Sequence, residues 1–285
     1  MSNVASVVPA GRKWRHVSWR TYAKVFALGI QEQMEYRFDN LMESLVGLGS
    51  FLVILFLWSS IYAASGEGEI GGLSFPQMLT YLLLSRFWDW VQNPGREVDT
   101  MLPDDIRGGG LSKILARPMS DRYYRLSLYL SHRALYGIVR MAPVVVLMCL
   151  MPRFFSLAVG PAYAVLPLVI LLSLLLQFTF SYAVALAAFW FLSIGGLLFL
   201  KRIVVSFLAG AWIPLVLLPP WAQKASEVLP FQYMVSFPVR LALTRPAAGE
   251  VLRGCLIMSG WILFFWILGA LVWKRGLLRY SAAGI

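Results

Sequence analysis

Charged side chains are scarce in this sequence. Asp, Glu, Lys and Arg make up 14% of its 285 residues, whereas about a quarter is usual in a soluble protein. Hydrophobic residues make up 59%, and the mean hydropathy is +0.70. This composition excludes a disordered chain and an ordinary soluble enzyme. It predicts a protein embedded in a membrane.

Cysteine and histidine are also rare. Cys149 and Cys255 lie inside apolar runs, and His16 and His132 are far apart in the chain. No zinc-ligand spacing or CxxC pair is present, so we predict no metal site. The glycine run at 108–110 lacks the Gly-Lys-Ser/Thr ending of a phosphate-binding loop. HExxH and GxSxG patterns are missing too, so we predict no catalytic and no cofactor-binding residues.

Long apolar runs recur along the chain, and a membrane-spanning helix needs about 20 such residues. We predict spans at about 44–66, 70–91, 135–158, 162–192, 203–218 and 254–272. The predicted fold class is therefore an all-α integral membrane protein, with six transmembrane helices forming a transmembrane domain over residues 41–272.

The basic residues are distributed unequally between the two sides of this topology. Of the 25 Lys and Arg, eighteen fall on one side, five on the other, and Arg86 and Arg140 within spans. Because basic loops stay in the cytoplasm, we expect both termini there, with a cytoplasmic loop at 92–127, an external segment at 219–253 and a cytoplasmic tail at 273–285. The net charge of +11 then needs no nucleic acid as partner.

The N-terminal region is amphipathic rather than spanning. We expect residues 1–13 to be disordered and 14–40 to form a helix. Its apolar face carries Trp19, Tyr22, Phe26, Ile30 and Met34, opposite Arg20 and Lys24. Such a helix lies in the membrane interface; the alternative is a helix packed on another protein.

Two loops carry further information. In the 92–127 loop, Leu111, Ile114 and Leu115 have i, i+3, i+4 spacing after the glycines, and Pro118 follows. This predicts a short helix with an apolar stripe for a cytosolic partner; the alternative is a solvated loop. Proline recurs through the 219–253 segment, which predicts short helices that dip into the outer leaflet or cap a cavity.

These loops resemble those of type-2 ABC-transporter permeases, the membrane subunits of bacterial exporters. The resemblance spans roughly residues 15–280 and departs from the family at Gly108 and Gly109. It is carried by Ile106, Gly110, Leu111, Leu115 and Pro118, by Gly210, Ile213, Pro214 and Leu215, by Leu229, Pro230, Phe231 and Pro238, and by the tail from Trp273 to Tyr280.

The resemblance implies a permease in the bacterial plasma (inner) membrane, with an interfacial N-terminal helix, a cytoplasmic coupling helix and external re-entrant helices. The permease would pair with a second copy or a paralogue and sit on a separate ATP-binding cassette subunit, which holds the ATP and magnesium. The expected ATPase-contact residues are Asp105, Ile106, Arg107, Gly110, Leu111, Leu115 and Pro118. The expected external gate consists of Pro214, Pro220, Pro230 and Phe231.

Two polar residues lie within predicted spans, where polar groups are costly. We place Arg140 and Gln177 in the translocation path. Arg140 could instead pair with Glu43 or Asp89 or extend to the head groups, and Gln177 could bond a neighbouring helix. The expected substrate is hydrophobic or amphipathic. The competing hypotheses are a gradient-driven secondary transporter or channel of another six-span family, and a membrane-embedded enzyme.

Overall fold

The computed structural model describes residues 18–66, 68–92, 95–117, 119–157 and 160–282. The predicted disordered segment 1–13, residues 14–17 of the predicted interfacial helix, Pro118 and the last three residues of the tail lie outside the described residues.

α-Helices form most of the described chain. In order they are α1 Trp19–Glu35, α2 Arg37–Ser65, α3 Phe75–Gln92, α4 Gly95–Asp99, α5 Met101–Arg107, α6 Leu111–Leu115, α7 Asp121–Leu150, α8 Leu166–Ala185, α9 Gly195–Leu208, α10 Pro220–Val228, α11 Ser236–Leu243 and α12 Ala248–Ala282. A small antiparallel hairpin, β1 Glu69–Ile70 and β2 Leu73–Ser74, joins α2 to α3.

Four helices among the described residues are long and apolar enough to cross a membrane. They are Arg37–Ser65, Asp121–Leu150, Leu166–Phe189 and Ala248–Tyr280, and each overlaps a predicted span. The other two predicted spans look different. The hairpin occupies the start of the 70–91 stretch, before the 18 residues of α3, and α9 has only 14 residues and ends at Leu208.

The end of α9 has a local cause. Gly210 follows the helix with a φ of 78°, a left-handed conformation that side chains disfavour. Its carbonyl accepts a hydrogen bond of 2.9 Å from the Tyr81 hydroxyl of α3. Pro214 then precedes a single 3-10 turn at Leu215–Leu217. Only the first six residues of the 203–218 stretch are therefore α-helical, and the rest is irregular chain with one 3-10 turn.

α1 and α2 form an elbow against α7. α1 ends at Glu35, and α2 begins at Arg37, with only Tyr36 between them. The contact with α7 is close at Gly29, where an added Cβ would lie 2.0 Å from Ser131 Oγ. Trp19 remains 75% exposed and Met34 47% exposed, so part of the predicted apolar face of α1 is uncovered.

Three apolar clusters hold the helices together. The first centres on Leu176 and Met258, where α8 meets α12. The second joins α5 and α6 to α7 and α8 around Tyr129 and Phe178. The third packs α2, α3 and α7 around Phe51. Cluster two contacts α7 near its start, at Tyr129, and cluster three contacts it nearer its end, at Val144. α7 therefore connects the elbow to the 95–117 segment, which is defined as α4, α5, α6 and the residues between them.

The 219–253 segment folds into short pieces, α10, a 3-10 turn at Phe231–Tyr233, and α11. The prolines explain the lengths, since Pro220 and Pro238 each lack the N–H that a continuing helix requires. α11 is mostly buried against α3 and α8. Trp88 of α3 donates a hydrogen bond of 2.9 Å to the carbonyl of Met234, two residues before α11, and so fixes the chain where α11 begins.

Candidate functional site

The 95–117 segment is attached to the spanning helices through Arg125 of α7, a side chain only 1% exposed. Its Nε donates to Asp121 Oδ1 at 2.8 Å, its Nη1 to the Glu97 carbonyl at 3.0 Å, and its Nη2 to Asp105 Oδ2 at 2.6 Å. A guanidinium has only donors, and here each of its three nitrogens finds an acceptor. One buried cation therefore binds α4, α5 and its own helix together.

The Arg125 cluster continues into α8. The Tyr182 hydroxyl donates to Asp121 Oδ2 at 2.9 Å, so Asp121 uses one oxygen for α7 and the other for α8. A charged group buried without a partner is strongly destabilising. Loss of either Arg125 or Asp121 would therefore leave the other as a buried charge with fewer partners.

A second buried ion pair joins α4 to α9. Lys201 Nζ donates to the two Asp99 carboxylate oxygens at 2.6 and 2.7 Å and to Ser181 Oγ at 3.3 Å. Burial raises the pKa of the Asp99 carboxyl, and the charge of Lys201 opposes that rise. The pair therefore links α9 to the 95–117 segment, to which α7 is also attached.

Glu97 provides a third attachment. Its carboxylate pairs with the His132 imidazole and accepts from Arg133 Nη2 at 3.4 Å. Burial alone raises the pKa of this carboxyl, but the His132 hydrogen bond and the Arg133 charge outweigh burial, and the pKa ends below its usual range. Glu97 is therefore held as a carboxylate between two side chains of α7.

The predicted ATPase-contact residues divide into two groups. Ile106 is 4% exposed and Leu111 0% exposed, and both pack into the cluster around Tyr129. Leu115 is partly buried against the same cluster. A helix follows the glycines as the spacing predicts, but its apolar stripe covers the protein's own core. In this conformation the stripe is not presented to a partner.

The remaining members of that prediction lie nearer the surface. Arg107 is exposed, donating to the Leu192 carbonyl at 2.9 Å and to Asp104 at 3.2 Å. Asp105 is half-buried on Arg125, and a Cβ at Gly110 would lie 2.6 Å from its Oδ1. The outward surface of the segment is polar and consists mainly of Asp104, Arg107, Ser112, Lys113 and Arg117.

Sequence reasoning did not identify the residues that anchor the segment. The sequence distinguishes Arg125 and Lys201 only as basic residues of the expected cytoplasmic side, and it gives no sign of a role for Glu97 or Asp99. One signal was present, the i, i+4 spacing of Asp121 and Arg125, which places opposite charges on one helix face.

Arg140 lines a cavity of 990 Å³ that we call the α2–α7 cavity; its lining includes residues from α1, α2, α3, α7 and α9. Arg140 Nη2 pairs with Glu43, one of the two partners considered from the sequence. Its guanidinium stands 3.9 Å from the ring centre of Tyr136 and 5.3 Å from that of Trp90. Gln177 is buried in α8 and does not line this cavity.

A second cavity, of 480 Å³, lies beside the hairpin and is called the hairpin cavity. Gly71, Pro214 and Arg240 contribute to its lining. Among the predicted gate residues the structure places Pro214 there, whereas Phe231 packs edge-on against Phe180 with ring centres 5.8 Å apart. Pro220 begins α10, and Pro230 directly precedes the following 3-10 turn.

Within the described part of the chain, no group of three His, Cys, Asp or Glu side chains could hold a metal ion.

Four apolar helices of spanning length and an exposed apolar surface define a multi-pass integral membrane protein. The family model described as ABC-2 family transporter protein matches residues 48–284, so this chain belongs to that family. It is a membrane permease component of an ABC transporter, and such permeases normally work with an ATP-binding subunit. The resemblance seen in the sequence is thus confirmed. A comparison with curated protein sequences gives no match.

Proposed function

We propose that this chain is the permease of an ATP-driven exporter and that the 95–117 segment receives the movement of the ATP-binding subunit. The Arg125 cluster carries this proposal, because it joins the segment to α7 and α8 by buried charges rather than by a mobile linker. Separating one partner of a buried ion pair costs about 3–5 kcal/mol. A push on the segment therefore moves the helices.

The proposal includes six spans with both termini in the cytoplasm of a bacterial inner-membrane protein. α3 and α9 supply the two spans beyond the four helices of spanning length. The 18 residues of α3 extend about 27 Å at 1.5 Å per residue, close to the hydrocarbon thickness. The Lys201–Asp99 pair supports moving α9 together with the segment. α10 and α11 are the re-entrant helices, and the gate lies near Pro214.

The translocation path runs, in this proposal, along the α2–α7 cavity and is completed by a second copy or a paralogue. Side chains of α2 and α9, Glu43 and Arg202, line the same cavity. Both helices also expose large apolar residues, among them Phe56 and Phe199. A cavity with charged walls beside apolar helices suits an amphipathic substrate, which would move outward by alternating access.

The test uses the permease co-expressed with its ATP-binding subunit and reconstituted in liposomes. We expect no ATP hydrolysis from the permease alone and ATP-dependent transport from the complex. Lys113→Glu alters the exposed face of the segment and should weaken assembly. Arg125→Lys retains the cation with fewer donors and should keep assembly and hydrolysis while transport per ATP falls.

Transport that follows a proton or sodium gradient in the absence of the ATP-binding subunit would reject this function in favour of a secondary transporter. Equal transport per ATP in native protein and Arg125→Lys would reject the coupling role of the cluster alone.

A further inference from the structure

The α2–α7 cavity has separated charges. Among its lining side chains, the acidic Glu32, Asp39 and Glu43 come from α1 and α2, and the basic Arg133 and Arg140 come from α7. Glu97 of α4 and Arg202 of α9 line it as well. The Glu32 and Glu43 side chains are 49% and 65% exposed, and those of Arg133 and Arg140 are 7% and 4% exposed. Water can therefore solvate the acidic wall, but it has little access to the basic wall.

On the basic wall, the buried atoms that lack a hydrogen-bond partner are donors. Within the described residues, the buried Nε atoms of Arg133 and Arg140 have no hydrogen-bond partner. A guanidinium only donates, and a buried donor without an acceptor is destabilising. His132 Nε2, which also has no hydrogen-bond partner in the described chain, lies 3.7 Å from the Glu32 carboxylate. The wall is short of acceptors.

The carboxylates near this wall do not supply the missing acceptors. Glu97 is engaged by His132 and by Arg133 Nη2, which leaves Arg133 Nε free of it. Glu43 pairs with Arg140 Nη2, but its side chain is mostly exposed and can turn to water without a large desolvation cost. Another anion can therefore replace Glu43 as the partner of the Arg140 guanidinium.

We propose that Arg140 and Arg133 form a subsite for the anionic head group, a carboxylate or a phosphate, of an amphipathic molecule that replaces Glu43 on Arg140. This rests on the proposed function, in which the cavity belongs to the translocation path. The Arg140 guanidinium also lies over the rings of Tyr136 and Trp90, which stabilise its charge. Its unpartnered Nε and the Nη2 that pairs with Glu43 are the two donors for a bidentate anion.

The same cavity offers an apolar side for a tail. Met42, Val46 and Trp90 are part of its lining. Val46 is 71% exposed, and Val53, one heptad along α2, is 72% exposed. Residues seven apart lie on one helix face, so this apolar stripe leads away from the head-group subsite along α2.

The test measures equilibrium binding to the permease–ATPase complex in phosphatidylcholine nanodiscs. The probes are dodecyl phosphate and dodecyltrimethylammonium, which share a tail and differ in charge. We expect about tenfold tighter binding of the anionic probe, the size of one charge-assisted hydrogen bond. Arg140→Gln should remove this preference, and Arg140→Lys should restore part of it.

Glu43→Gln is the deciding variant, because it removes the competing carboxylate and should strengthen binding of the anionic probe severalfold. Arg86→Gln is the matched control. Arg86 stands over the same Trp90 ring, 5.4 Å from its centre, but does not line the cavity, so binding should be unchanged. Weaker anionic binding by Glu43→Gln, or equal or tighter binding of the cationic probe to native protein, would overturn the proposal.

Further measurements distinguish a membrane lipid from a free solute as the source of the head group. They also distinguish failure of the subsite from failure of the exporter function. Competition by phosphatidylglycerol placed in the nanodisc identifies a membrane lipid as the ligand, whereas competition by water-borne butyl phosphate alone identifies a free solute. Anion-selective binding without ATP-driven transport would retain the subsite and reject the exporter. ATP-driven transport without anion selectivity would reject the subsite and retain the exporter.

Discussion

Arg125 Nη2 and Asp105 Oδ2 stand 2.6 Å apart, with the arginine side chain 2% and the aspartate side chain 29% exposed. This pair crosses from a spanning helix to the loop segment, and its arginine is shared with Asp121. Arg125 thus stabilises the fold, and it also forms the link between the 95–117 segment and α7 on which the proposed function depends.

Removing the charge of Arg125 should destabilise the protein. Arg125→Gln leaves Asp121, 4% exposed, without its cation, and we expect a loss of about 3–5 kcal/mol in the free energy of unfolding. Thermal unfolding in detergent, followed by tryptophan fluorescence, measures the change. Arg107→Gln is the control, since the Arg107–Asp104 pair is exposed and its loss should change stability by about 1 kcal/mol or less. Similar losses for both variants would contradict this account.

Gly210 should tolerate no side chain. A Cβ there would lie 2.6 Å from Tyr81 Oη, and the positive φ adds backbone strain. We expect Gly210→Ala to destabilise the protein by about 1–3 kcal/mol. The same change at Gly260, in the interior of α12 with no atom within 4 Å, should stabilise it by about 0.5–1 kcal/mol. Thermal unfolding of both variants tests the predicted difference in sign.

Glu97 should make the stability of the segment depend on pH. Its pKa in the folded protein lies below the ordinary value of 4.5, so its contribution is fully present above that value. It is lost as the pH falls through the lower, folded pKa. The melting-temperature difference between native protein and Glu97→Gln should therefore be constant near about pH 7 and shrink below about pH 4.5.

The comparison with Glu97→Gln also reduces the effect of a second acid on the measurement. Asp99 is present in both proteins, so the part of its pKa rise that comes from burial is common to both, and only the smaller rise from the charge of Glu97 differs. A difference that widens in acid would show that the sign assigned to Glu97 is wrong.

Gly29 should determine whether α1 stays on α7. An alanine Cβ would overlap Ser131 Oγ at 2.0 Å, so we expect Gly29→Ala to displace α1 and to speed tryptic cleavage at the exposed Lys24. Gly49→Ala, where no atom lies within 4 Å of the added carbon, is the control and should leave cleavage unchanged. Unaltered cleavage in both would show that α1 is held by contacts other than the one at Gly29.

The sequence predicts the apolar helices well because lipid-facing surface and buried surface are both apolar. α2, α8 and α12 thus appear as uninterrupted apolar runs. It does less well with α7, which begins at Asp121, well before the 135–158 stretch. Its first turns carry Asp121, Arg125 and Arg133, which read as loop charges in the sequence. Apart from the Asp121–Arg125 pair, their hydrogen-bond partners lie on α3, α4, α5 and α8, and no periodicity within α7 reveals those partners.

The hairpin and the cavities show the same limitation. Gly71 and Gly72, with φ of 61° and 75°, form a turn that the apolar composition of the 70–91 stretch conceals. Arg140 could be singled out from its position in an apolar run, and its pairing with Glu43 was one of the alternatives. Tyr136 lies four residues before it on α7, but the contact of Arg140 with Trp90 depends on the packing of α3 against α7, which only the folded chain determines.

The burial of Ile106 and Leu111 has a consequence for engineering. Residues that hold the segment in place face inward, and those open to a foreign surface, such as Ser112 and Lys113, face outward. The two sets can vary independently. If the segment receives the ATP-binding subunit, as proposed, exchanging the outward set alone should change which ATP-binding subunit the permease accepts while its helices keep their arrangement.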